Sequence, residues 1–122
     1  MLTQPQKDSI AAMVANRFDI EFESLFVKSR KQPQATARQI ICTVFYMHNV
    51  TQEECAKYFE PAFSNISNVH HAIKTTIDTH SNDKDVFAIY SAALDFAEML
   101  IKTKDLEFHY KLMGICKNKI AK

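Results

Sequence analysis

Between residues 28 and 38 the chain carries four cations, Lys28, Arg30, Lys31 and Arg38, and no acid. Such a cluster suits phosphate, because ammonium and guanidinium groups make charge-assisted bonds to its oxygens and a guanidinium on a fixed base also fits a narrow minor groove. Arg38 opens a helical pattern and so has that base. Plain solvation of a polar loop explains the same charges. A second constellation, Asn65, Ser67, Asn68, His71 and Lys74, lies on the second member of a helix-turn-helix pattern over residues 51–79. In DNA-binding versions of that motif the first helix crosses the backbone and the N-terminal residues of the second read base edges in the major groove. Asn can bond adenine at two points, Ser is adaptable, and Lys74, one turn on, reaches a phosphate or guanine. Thr51, heading the first helix, belongs with the backbone-facing set. Helix pairs with polar tips also occur in all-α domains of many other kinds.

Other chemistry is poorly supplied. The single glycine, Gly114, excludes a glycine-rich phosphate cradle, so no nucleotide-binding module is expected. Cys42, Cys55 and Cys116 are odd in number, without a CxxC, and read as reduced, mostly buried thiols. Of the five histidines, the adjacent His70 and His71 point about 100° apart on a helix and share a metal poorly. No nucleophile, base and oxyanion donor come together, so neither an enzyme, a metal nor a cofactor is expected.

These residues need a scaffold, and the pattern is helical throughout. Thr3 and Gln6 form a capping box for a helix over residues 4–18, with Ile10, Met13, Val14 and Phe18 on one face. Residues 20–26 allow one or two further turns before the basic loop. After Pro33, Ala37, Ile40, Ile41, Val44, Phe45 and His48 mark a buried helix that stops near Asn49. Thr51 and Glu54 form a second capping box, Val50 and Cys55 stand as a hydrophobic staple, and a short helix covers residues 52–59. Ser67 is expected to cap the next helix, with Val69, Ala72, Ile73, Thr76 and Ile77 inward. Asn82, followed by Asp83 and Asp85, starts a long helix ending near Thr103. The tail, residues 104–122, fits either a strand or a helix, and helix is favoured. The expected fold is all-α, a bundle of about six or seven helices over residues 1–103 with an appended tail, in a chain of 122 residues sized for one core.

The order VANRFDI, KSRK, ARQI, VTQEECAKYF and NVHHAIK resembles the C-terminal DNA-binding domain of the bacterial chromosomal replication initiator DnaA, a Trp-repressor-like helix-turn-helix domain. The resemblance covers roughly residues 8–102 and is most specific in SLFVKSRKQPQATARQIICTVFYMHNVTQEECAKYF. It implies that Lys28, Arg30, Lys31 and Arg38 meet the DNA backbone and minor groove, and that the residues opening the second helix of the motif read the major groove. The family has Gly-Gly-Arg-Asp-His-Thr-Thr before its valine; here Ala62, Phe63, Ser64, Asn65, Ile66, Ser67 and Asn68 precede Val69. Ser64, Asn65 and Ile66 thus replace the base-reading Arg, Asp and His, and two extra residues separate Phe59 from Val69. His71 and Lys74 match the family's histidine and basic positions. The initiator's ATP-binding module has no counterpart.

The expected function is that of a stand-alone protein binding double-stranded DNA, in replication, transcription or a mobile element. The alternative is a protein-interaction module on the same scaffold, with Phe63 and Ile66 as an apolar contact. Surplus apolar surface at Phe87, Tyr90, Leu94 and Ile101 would favour a homodimer, while a tail folded back over it would complete the monomer. With no basic leader and no run of 18 apolar residues, no membrane is expected and a cytoplasmic location is.

Overall fold

The computed structural model describes residues 2–28, 31–60, 62, 63 and 65–112, with residues 104–112 as backbone alone. Among the described residues five α-helices follow one another: α1 (Gln4–Arg17), α2 (Gln34–Met47), α3 (Gln52–Tyr58), α4 (Ile66–Asp78) and α5 (Lys84–Leu112). Two 3-10 segments, Phe22–Phe26 and His80–Asn82, lie between them, and the described residues contain no strand. The fold is all-α. The described residues hold fewer full helices than six or seven for two reasons: residues 22–26 wind only into a 3-10 turn, and the part of the tail up to Leu112 continues α5 rather than starting a helix of its own. Nothing between Thr103 and Leu112 would stop a helix, since Gly114 is the first glycine after α1 begins. Residues 113–122, and with them most of the expected tail, lie outside the described residues.

The helix ends follow local chemistry. Thr3 Oγ1 accepts from the Gln6 N–H at 3.3 Å while Gln6 Oε1 accepts from the Thr3 N–H at 2.9 Å, and Pro5 occupies the first turn, where its missing N–H costs nothing. With glycine so scarce, the left-handed residue that closes a helix is supplied by Asp19 after α1 (φ 55°) and Asn49 after α2 (φ 69°). Both ends are Schellman motifs: the Ile20 N–H reaches Ala15 O, and the Val50 N–H reaches Phe45 O, each at 3.0 Å. Asp and Asn tolerate this conformation better than other non-glycine residues.

The helix α4 begins earlier than Ser67. Its cap is Asn65, whose Oδ1 accepts from the Asn68 N–H while Asn68 Oδ1 accepts from the Asn65 N–H, both at 3.3 Å. This is a capping box with Asn in place of the usual Glu or Gln. At α5 the cap is Asp83, not Asn82: Asp83 Oδ1 accepts from the N–H groups of Asp85 and Val86 at 3.0 and 3.1 Å. Asn82 belongs to the preceding 3-10 segment and donates to Asp78 O.

Helix α2 forms the centre. Ile40, Ile41, Val44 and Phe45 are fully buried, and the largest helix–helix contact is between α2 and α4. An aromatic cluster closes the α3 side, with Phe45 and Tyr58 at 5.1 Å, Tyr58 and Phe59 at 5.0 Å, and Phe59 and Phe63 at 5.4 Å. Helix α1 lies against α2 and α5, and Gln6 Nε2 donates to Leu100 O at 3.4 Å. Along α5, Ala93 and Ala97 are buried and Tyr90, Leu94 and Ile101 half-buried, while Phe87 and Met99 remain 45% and 51% exposed.

Candidate nucleic-acid interface

The basic segment leaves the core at the 3-10 turn Phe22–Phe26 and rejoins it at α2. Lys28 and Lys31 are exposed; Arg30 lies outside the described residues. The far end is fastened by Gln32, whose Oε1 accepts from both the N–H and the hydroxyl of Thr36. Arg38 departs from the surface role expected of it. It is 3% exposed, and its Nη1 donates to Leu25 O at 3.2 Å and Val27 O at 3.4 Å. Burial lowers its pKa, opposed by the neighbouring Cys42, but a guanidinium stays charged. Arg38 therefore holds the root of the basic segment against α2, and among the described residues of the segment the outward charges are Lys28 and Lys31.

The sequence contained a sign of this. Arg38 precedes Ile41 by three residues and Cys42 by four, so it shares a face with buried positions. Close by, Gln34 Oε1 is buried without a hydrogen-bond partner among the described residues.

Helices α3 and α4 form the helix-turn-helix pair. Thr51 is exposed at the head of α3; its Oγ1 accepts from the Glu54 N–H at 3.2 Å, which leaves the hydroxyl proton available to an acceptor such as phosphate. No protein-family model, curated protein or solved structure matches this chain. The inner face of α4 is Val69, Ala72, Ile73 and Thr76, and its outer face carries Ser67, His70, His71 and Lys74, all exposed.

The two asparagines are exposed as well, but each has a lone pair of its Oδ1 committed to the cap. The adenine contact of an Asn uses that oxygen together with the amide nitrogen. Ser67 and Lys74 take no part in capping, and His71 Nε2 lies 3.5 Å from Thr75 Oγ1. Ser64 lies outside the described residues. His70, weighed in the sequence only as half of a metal pair, turns out to stand on the same outward stripe as Ser67 and Lys74, at i+3 and i+7 from Ser67. Ile66 is 43% exposed and Phe63 half-buried against Phe59.

Beneath the interface Cys42 and Cys55 are buried and hydrogen-bonded to each other between α2 and α3. Burial pushes the Cys42 thiol up, and the bond from Cys42 draws the Cys55 thiol down. Among the described residues no group of three His, Cys, Asp or Glu side chains is placed to hold a metal ion, and no helix is long and apolar enough to cross a membrane.

Proposed function

We propose that this chain binds double-stranded DNA in the manner of the replication initiator's C-terminal domain, as part of replication initiation or its regulation. The observation that carries the reading is the outward face of α4, where Ser67, His70, His71 and Lys74 stand exposed on the second helix of a helix-turn-helix pair. That helix enters the major groove. Lys28 and Lys31 meet phosphates on one side, and the Thr51 hydroxyl meets the backbone at the head of α3. Arg38 acts as a positioning residue, because the carbonyls it holds belong to the turn that launches the basic segment. The buried thiols Cys42 and Cys55 suit a reducing compartment such as the cytoplasm.

The test is a salt series of fluorescence anisotropy on a duplex selected from random DNA. Each phosphate contact contributes about 0.9 to the slope of log K against log salt, so replacing Lys28 and Lys31 together by Ala lowers the slope by about 1.8 and weakens binding about 30-fold at physiological salt. Absence of duplex binding at low salt, or an unchanged slope in the double variant, overturns the reading. In that case the exposed Ile66 beside Phe63 favours the second reading, a protein-interaction surface at the tip of the motif.

A further inference from the structure

A concave surface separate from the outer face of α4 lies between α1, the 3-10 turn Phe22–Phe26 and α3. It encloses about 390 Å³, within the range of small-molecule sites. One wall is aromatic: Phe26 makes edge contacts with Phe22 at 5.1 Å and with Tyr58 at 5.5 Å. The carboxylates of the groove are already engaged. Asp8 Oδ1 accepts from the Tyr58 hydroxyl at 2.7 Å and from Gln4 Nε2 at 3.2 Å, and Glu54 Oε2 accepts from the Thr51 N–H at 3.4 Å. Lys7 and Lys57 line the groove, and neither forms an ion pair among the described residues.

We propose that this groove is a binding site for a small aromatic anion, a carboxylate or phosphate monoester carrying one ring system, with the ring on Phe22, Phe26 and Tyr58 and the charge met by Lys7 and Lys57. An aromatic wall gives a planar ring favourable stacking or edge contacts. Asp8 and Glu54 keep their charge but are turned to the neutral donors of Tyr58, Gln4 and Thr51, so a ligand anion is met by the ammoniums of Lys7 and Lys57 through charge-assisted bonds. Tyr58 adds no opposing charge, since burial and the bond to Asp8 hold its hydroxyl protonated well above the ordinary tyrosine range. The site also touches both parts of the molecule that matter for DNA: Phe26 immediately precedes Val27 and Lys28, and Lys57 and Tyr58 belong to α3.

The test is a titration of the full ¹⁵N-labelled chain, without DNA, followed by amide chemical shifts. The probes are adenosine 5′-monophosphate and indole-3-acetate, with adenosine as the uncharged control. Saturable shifts centred on Lys7, Phe22, Phe26, Lys57 and Tyr58 are expected with at least one anion, and the anion that binds separates a phosphate ligand from a carboxylate one. Lys7→Gln and Lys57→Gln should each weaken that binding about tenfold, the loss of one charge-assisted contact. Lys57 is exposed and Lys7 half-exposed, so both variants should keep the parent melting temperature. No saturable shift with either anion up to about 5 mM, equal shifts with adenosine, or affinity indifferent to both substitutions overturns the proposal. DNA is absent from the measurement, so its outcome is independent of the DNA-binding reading.

Discussion

Arg38→Met separates a structural strut from a DNA contact. Met keeps most of the side chain's length and apolar stem but donates nothing to Leu25 O or Val27 O. The two carbonyls do not suffer equally. Leu25 is fully buried, so its carbonyl loses its donor with no water to replace it, at a cost of about 1–3 kcal/mol. Val27 is 58% exposed and its carbonyl can rehydrate, so only the net worth of a hydrogen bond to a charged group is lost there, about 1.5–3 kcal/mol. Relief from burying a guanidinium offsets part of the sum, which leaves a loss of about 2–4 kcal/mol. Urea denaturation should show this as a lower midpoint at an unchanged slope, and thermal melting as a fall of roughly 10–25 °C for a domain of this size. A loss below about 1 kcal/mol combined with abolished DNA binding would refute the reasoning, because a side chain that matters only to DNA is not holding the segment's root.

Phe45→Ala removes a fully buried ring that packs on Tyr58 and Phe59, and should cost about 3–5 kcal/mol by urea denaturation. Asn49→Ala, at φ 69°, should lose about 1 kcal/mol in the same assay, whereas Asn49→Gly stays within about 0.5 kcal/mol because easier left-handed geometry is balanced by a freer unfolded chain. Asn65→Ala removes the α4 cap and should cost about 1 kcal/mol, read as a lower melting temperature. His80 Nε2 lies 2.6 Å from Gln39 Oε1, and burial lowers the His80 pKa below its ordinary 6.5, with Asp83 opposing. The unfolded chain therefore takes up this proton first as pH falls, so its contribution to stability is complete above about pH 6.5 and drains away below it. Urea midpoints at pH 7.5 and 5.5 should differ more for the parent than for His80→Gln.

Helices whose ends carry side-chain caps and whose faces keep period were legible in the sequence: both Thr capping boxes and the Ala37 to Phe45 stripe stand where the residues place them. The start of α4 was not, because Asn68 at the third helical position does the work usually given to Glu or Gln, and Ser67 offered a plausible competing cap. The end of α5 escaped for the opposite reason, an absence of any breaker before Gly114. In the candidate interface the outward stripe of α4 follows from spacing alone. The burial of Arg38 depends on the turn Phe22–Phe26 docking over it, a contact 11 to 13 residues away that no helical period encodes. The groove of Lys7 and Lys57 is less legible still, since it joins helices that begin almost fifty residues apart.

The bond from Gln6 to Leu100 closes a span of 94 residues. Loop closure over such a length costs about 4 kcal/mol of chain entropy, whereas α3 and α4 pair across a short turn. During synthesis α2, α3 and α4 can therefore dock while Ile10 and Val14 of α1 still lack part of their cover, and the bundle is sealed only when α5 leaves the ribosome. Helix α2, fully buried from Ile40 to Phe45, should accordingly hold the slowest-exchanging amides, and α5, buried mainly at Ala93 and Ala97, should exchange faster.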